Sequence, residues 1–197
     1  MTPFRLGLTG SIGMGKSTTA AFFRDFGVPV WDADAAVHRL YAPGGAAVAP
    51  IAALHPPALQ DGSIDRNELK TWIAAEPSAL GHIEMIVHPL VAADRTRFMA
   101  SVAGDLLVCD IPLLFETGAD QQFDATLVVT APPALQRARV LARPGMTEEG
   151  LCLILSRQLP DPEKRARATH IIETLGFEAV RASVAALIGY IREIRGA

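Results

Sequence analysis

Short, mainly apolar runs alternate along this chain with stretches whose apolar positions recur every three or four residues. The first run is Phe4 to Thr9, and a helix is predicted from about Lys16 to Phe26, with Ala20, Phe23 and Phe26 on one stripe. "GVPVW", from Gly27, reads as a short second strand that ends at "DAD", Asp32 to Asp34. "DLLVCD" (105–110) is the clearest buried strand, "ATLVVTA" (125–131) is another and "HIIE" (170–173) a weaker fifth. A last helix is predicted over 177–194, through Val180, Val184, Leu187, Ile188 and Ile191. Strands alternating with helices predict an α/β fold, a parallel sheet covered on both faces.

Two stretches break the alternation. Residues 35–103 carry no strand pattern and read as a helical insertion. Within it, Asp65 stands three positions before Glu68, a capping-box spacing, and Leu69, Trp72 and Ile73 supply the apolar face of the helix that follows. Helices are expected over 78–87 and 90–102, separated at His88-Pro89 because the residue before a proline avoids helical geometry. The alanine- and proline-rich stretch 42–58 reads as a loose connection. The second break, 141–167, is arginine-rich and helical in period but interrupted at Pro144-Gly145 and Pro160. Thr147 is a cap candidate there, with Glu148 and Glu149 where carboxylates favour the helix dipole. The expected parts are a core of 1–34, 104–140 and 168–197, the insertion 35–103, and the segment 141–167.

Composition narrows the classes. A chain of 197 residues, half apolar and one fifth charged, can bury one ordinary core with a small subdomain. A net charge of -3 gives no support for nucleic-acid binding. Cys109 and Cys152 form no CxxC pair, so they are expected to be buried small hydrophobes and not zinc ligands or a disulfide. The start "MTPFRLGLTG" lacks a signal-peptide pattern, and no apolar run is long enough for a membrane span. A cytoplasmic protein with no membrane and no nucleic-acid partner is expected.

Candidate chemistry begins with the three lysines, outnumbered by fifteen arginines, because one of them sits among glycines. Gly10, Gly15, Lys16 and Ser17 fit G-x-x-x-x-G-K-[ST] between a predicted strand and a predicted helix. The loop Gly10, Ser11, Ile12, Gly13, Met14, Gly15, Lys16, Ser17 and Thr18 is expected to cradle phosphates with backbone N–H groups. Lys16 would reach the β- and γ-phosphates, and the Ser17 hydroxyl would ligate Mg²⁺. Asp110, at the end of a buried strand, is a second candidate for Mg²⁺; the plain alternative is a strand-end charge paired with an arginine. Arg139 and Arg143, four apart, are expected on one helix face as a phosphate clamp, or with Arg137 as a solvated basic face. Asp32 and Asp34 lie where open α/β sheets place ligands, and Asp34 reads equally as a site carboxylate or a helix cap. The loop does not separate kinases from switches or motors, although the chain lacks the N-K-x-D motif of a GTPase.

"GLTGSIGMGKST", "DAD" (32–34), "G.IDR" (62–66), "HPL" (88–90), "DIPLLFE" (110–116) and "Q..R...R" at Gln136, Arg139 and Arg143 resemble, in order and spacing, the dephospho-CoA kinases. The resemblance covers essentially the whole chain. It implies a three-layer P-loop kinase that phosphorylates the ribose 3'-hydroxyl of dephospho-CoA with ATP and Mg²⁺. It makes 35–103 the acceptor domain and 141–167 a lid, and a monomer is expected. Asp34 would stand beside the acceptor hydroxyl, with Lys16 and Arg143 as its catalytic companions and Arg139 at the nucleotide. Asp32, His88, Asp110 and Leu113 would line the acceptor, with Arg66 and Arg95 as weaker candidates for its phosphates and Arg157 and Arg165 as weaker candidates for the phosphate clamp. The chain departs from the family pattern at Ser11, where glycine is common, at Met14, where serine is common, and at Thr174, where an asparagine of the adenine pocket is usual. The rival readings are another small-molecule kinase, of the nucleotide or shikimate type, and a nucleotide-dependent switch.

Overall fold

The computed structural model describes residues 2–196. Its elements, in chain order, are β1 (Phe4–Thr9), α1 (Lys16–Asp25), β2 (Val30–Asp32), α2 (Ala33–Tyr41), α3 (Val48–Leu54), β3 (Leu59–Gln60), β4 (Ser63–Ile64), α4 (Arg66–Ala75), α5 (Ser78–Ser101), β5 (Leu106–Asp110), β6 (Ala125–Thr130), α6 (Pro133–Leu141), α7 (Glu148–Leu155), α8 (Asp161–Arg167), β7 (His170–Glu173) and α9 (Phe177–Gly196). All five strands predicted from the apolar runs form, and they make one sheet in the order β2-β5-β1-β6-β7. The pairs β1–β5, β1–β6 and β6–β7 are parallel. Among the described residues, no helix is long and apolar enough to cross a membrane.

Contacts divide the chain into two compact units, residues 1–31 with 102–197, and residues 32–101. In the first, the two-residue period of the strands sorts the core. Leu6, Leu8, Leu106, Val108, Leu127 and Val129 share one cluster with Ala20 and Phe23 of α1 and Val184 and Ile188 of α9. The alternate positions Leu107, Cys109 and Val128 are fully buried too, so both faces of the sheet are covered. A side-chain carbon at Gly7 would sit 3.0 Å from Leu114 and Phe123, which places the 111–124 connection over that second face. β1 is central: the chain leaves it for β2 on one side and later crosses it from β5 to β6 on the other. This is the switch point at which open α/β sheets form a crevice beyond their strands' carboxyl ends. Cys109 is buried as expected, whereas Cys152 is exposed, because α7 turns Leu151 inward and leaves Cys152 outside.

The second unit has its own core of Leu40, Tyr41, Ile51, Ile64, Leu69, Ile83 and Val87. Several expectations fail here. The stretch 42–58 is not a loose connection, since α3 buries Ile51 in it. Leu59–Gln60 and Ser63–Ile64 form a small antiparallel hairpin around Asp61 and Gly62, both at positive φ; two-residue strands lie below the length at which alternation can be read. The two helices expected around His88-Pro89 are one continuous α5. Pro89 removes a hydrogen bond to Met85, but Met85, His88 and Pro89 all face solvent while Ile83 and Val87 are buried, so the apolar face carries the helix past the break. Asp65 caps α4 by accepting from Asn67 N–H at 2.7 Å, yet Glu68 does not complete a capping box: its Oε1 lies 3.0 Å from His55 Nε2.

Candidate active site

β1 ends at the buried Thr9, and the chain turns at once through the loop 10–15 into α1. A Cβ at Gly10 would lie 2.7 Å from the Val129 carbonyl, backbone that cannot yield, so glycine is required there. Met14 N–H donates to Ser11 O at 3.1 Å, which closes the turn. Gly15, at φ +84°, is the N-cap of α1. That helix start has no side-chain cap and no acidic residue in its first turn. Its free N–H groups and positive dipole end are therefore left for an anion. Ser17 and Thr18 are exposed beside it, while Ser11 is buried. The Met14 departure has a packing reason, because its side chain is buried in the core and its Sδ accepts from Ala131 N–H at 3.0 Å.

The β1–β5 register sets Leu8 opposite Asp110, which brings that carboxylate to the loop. Lys16 and Asp110 form an ion pair, with side chains 16% and 4% exposed. Lys16 is thus largely shielded from solvent, and the carboxylate that ends β5 has a lysine for a partner. Ser17 and Asp110 together suit a magnesium ion, a hard cation that takes its other ligands from phosphate oxygens and water. Among the described residues there is no cluster of three or more His, Cys, Asp or Glu that could hold a metal alone, so such an ion would come with the nucleotide.

Arg139 and Arg143 do not share a helix face. α6 ends at Leu141, so Arg143 stands exposed in the turn beyond it, while Arg139 reaches inward. The Arg139 guanidinium donates to Thr174 Oγ1 at 2.9 Å and to the Thr174 carbonyl at 2.5 Å. Thr174 is buried, and its hydroxyl lies 3.0 Å from Met14 O and 3.3 Å from Thr130 O as acceptors. The threonine that stands at the family's asparagine position is thus a brace behind the phosphate loop, joined to it through Met14. Leu113 is partly exposed in the connection after β5, and Arg157 and Arg165 are exposed.

The residues of the second unit are described by themselves. Asp32, not Asp34, caps α2: its carboxylate accepts from Ala35 N–H at 2.9 Å. Asp34 is left exposed in the first turn, its carboxylate not needed for capping. His88 is exposed on α5, Arg95 is buried on the same helix, and Arg66 begins α4. Arg39 pins α2 to α5 through Asp94 at 2.7 Å.

A fully buried lysine and its partner also escaped the sequence reading. Lys164, on α8, is fully buried with its Nζ 2.9 Å from Glu116 Oε1, and the same oxygen accepts Leu159 N–H at 2.7 Å. A lysine inside an arginine-rich, polar stretch gives no sign of burial. Glu116→Ala strands that ammonium, so it is expected to lower the unfolding free energy by about 3–5 kcal/mol in urea titrations, with Glu116→Gln milder. A loss under about 1 kcal/mol would contradict the pairing.

Comparison with known proteins agrees with this architecture. The dephospho-CoA kinase family model matches residues 4–177. The chain is 66% identical over 193 residues to a dephospho-CoA kinase of Cereibacter sphaeroides, covering 98% of each. It is 61% identical over 191 residues to that of a Jannaschia species, covering 96% of this chain and 98% of the relative. A crystal structure of a Thermus thermophilus protein superposes with a TM-score of 0.83 at 34% identity, over 96% of this chain and 98% of that one. The dephospho-CoA kinase of Campylobacter jejuni matches in fold, with a TM-score of 0.69 at 21% identity over 97% and 98% of the two chains. With a phosphate loop at the switch point of a parallel sheet, an acid on the neighbouring strand and relatives alike from end to end, the chain belongs to the dephospho-CoA kinase family.

Proposed function

We propose that this chain transfers the γ-phosphoryl group of ATP to the ribose 3'-hydroxyl of dephospho-CoA, giving CoA and ADP. The observation that carries the nucleotide half is the uncapped, acid-free start of α1 within a glycine loop, with Lys16 held at its edge by Asp110. Backbone N–H groups of residues 13–18 would bind the phosphates, and Lys16 would move from Asp110 onto the β- and γ-oxygens. Ser17 and Asp110 would hold Mg²⁺, which offsets phosphate charge when bound. Arg139, Ser11, Ile12 and Met14 would complete the nucleotide site, Arg139 through its grip on Thr174.

The acceptor half rests on family membership and on Asp34. An exposed carboxylate in a first helical turn, with capping already done by Asp32, is available to accept the hydroxyl proton or to orient its oxygen. Residues 35–103 are proposed as the acceptor domain with His88 and Asp32 among its contacts. Asp110 and Leu113, in the core of residues 1–34, 104–140 and 168–197, are proposed as further substrate contacts. Residues 141–167 are proposed as the lid, with Arg143 as its phosphate contact. Both substrates are small molecules, and the enzyme is proposed to act as a cytoplasmic monomer.

ADP release measured over dephospho-CoA, AMP, shikimate and water tests the proposal. Strong stimulation by dephospho-CoA alone is expected; stimulation by AMP or shikimate with none from dephospho-CoA would overturn the acceptor and leave the kinase class standing. Arg143→Ala separates a clamp from a solvated surface charge. It is expected to lower turnover about a hundredfold while changing ATP binding by less than about threefold, since a closing arginine acts mainly on the transferring phosphate. An unchanged rate, or a loss confined to ATP affinity, would return Arg143 to the solvated surface.

A further inference from the structure

Two glutamines grip the phosphate loop, and neither has a role in the proposed reaction. Gln136, on α6, is buried, and its Nε2 donates to the Ile12 carbonyl at 2.8 Å. Gln158, in the turn after α7, accepts the Ile12 N–H through its Oε1 at 3.2 Å. These two backbone groups belong to different peptide planes, one on each side of the Ile12 Cα. Holding both planes fixes both soft dihedrals of that residue. The plane that carries the Ile12 carbonyl also carries the Gly13 N–H, and in a trans peptide the two point in opposite directions. Anchoring the carbonyl on Gln136 therefore aims the Gly13 N–H away from α6. Gly13 follows at φ +77°, so without the anchors this is a pliable point of the loop.

We propose that Gln136 and Gln158 are positioning residues that act through Ile12: together they set the direction of the Gly13 N–H before ATP arrives. They also tie the loop to both ends of the segment that carries Arg139 and Arg143, so ordering of that segment and of the loop becomes one event. The proposal rests on reading the loop as an ATP site. Its energetic sense is preorganisation. A loop already shaped for phosphate does not have to be ordered at binding, and the gain falls on the nucleotide and not on the acceptor.

The test uses the isosteric, apolar variants Gln158→Met and Gln136→Met, singly and together, in the full chain. ATP affinity is measured by calorimetry, KM is measured for each substrate, and the Ile12 and Gly13 amide signals are followed by NMR in nitrogen-15-labelled protein without nucleotide. Each single variant is expected to weaken ATP binding about tenfold, with the dephospho-CoA KM within about twofold of the unsubstituted chain. The double variant is expected to lose no more than the worse single one, because both bonds hold the same residue. In Gln158→Met the Ile12 amide proton is expected to move upfield as its acceptor is lost. Gln136 is buried, and where its replacement fails to fold, Gln158→Met decides through the same three readings. An unmoved Ile12 amide, an unchanged ATP affinity, additive losses, or an equal rise in both KM values would overturn the proposal. Absence of ATP binding by the unsubstituted chain would overturn the reading of the loop itself, and this inference with it.

Discussion

Lys16→Ala is expected to lower turnover by about a thousandfold or more, in a chain that still folds. Phosphoryl transfer leaves the protein little covalent work, so catalysis lies in placing charge and geometry around the transferring group. Lys16 opens α1, next to donors that no side chain caps, and is the one lysine of the loop. Removing a single neutral donor from such a site costs about 2.7–4 kcal/mol of transition-state stabilisation, and a full positive charge counts for at least that. Because Lys16 is paired with the buried Asp110, the substitution also takes one partner from that carboxylate, and some thermal stability goes with it. Lys16→Ala with Asp110→Asn removes both charges and recovers part of the stability but none of the activity. Circular dichroism establishes the fold, and steady-state ADP release gives the rate. Near-normal turnover would dismiss the phosphate-cradle assignment.

Asp34→Asn carries the second large effect. The amide keeps the shape of the side chain but cannot take a proton, so transfer is expected to fall about 10²–10⁴-fold. Binding of both substrates, measured by calorimetry, is expected to persist, and the melting temperature should barely move. The structure makes this a clean test. Asp34 is exposed and Asp32 supplies the cap of α2, so no structural hydrogen bond is lost at position 34. Asp32→Ala is the contrasting variant, costing about 1 kcal/mol through the lost cap. If Asp34→Asn turned over at the unsubstituted rate, Asp34 would be an ordinary acid in a first helical turn, placed there for the dipole.

The parts of this molecule that could be read from its sequence are those governed by short-range rules. Strands buried on both faces must be apolar throughout, so β5 and β6 stood out, and the bounds of β1 and β7 agree residue for residue. The phosphate loop was legible because close approach to Val129 leaves no choice but glycine at position 10. The cap at Thr147 was legible for a similar reason, its side chain accepting Gly150 N–H at 3.1 Å. What escaped depends on partners far away in the chain. Pro89 looked like a helix stop, and only the burial of Ile83 and Val87 on the opposite face explains why α5 continues. The Arg139–Arg143 spacing promised a shared face, but α6 ends between them. Lys164 pairs across 48 positions with Glu116, and Gln158 across 146 with Ile12, separations at which sequence carries no local signal. Thr174 read as a departure at the adenine pocket, and it is legible as a brace only once Arg139 and Met14 are seen around it.

The central claim is the position at which phosphate is placed. The most direct measurement is phosphorus NMR of the product formed from dephospho-CoA, ATP and magnesium by the unsubstituted chain. One new phosphomonoester signal is predicted, coupled to the ribose 3' proton, appearing in step with ADP. A phosphate on the 2'-oxygen, or ADP released with no phosphorylated acceptor, would contradict the account.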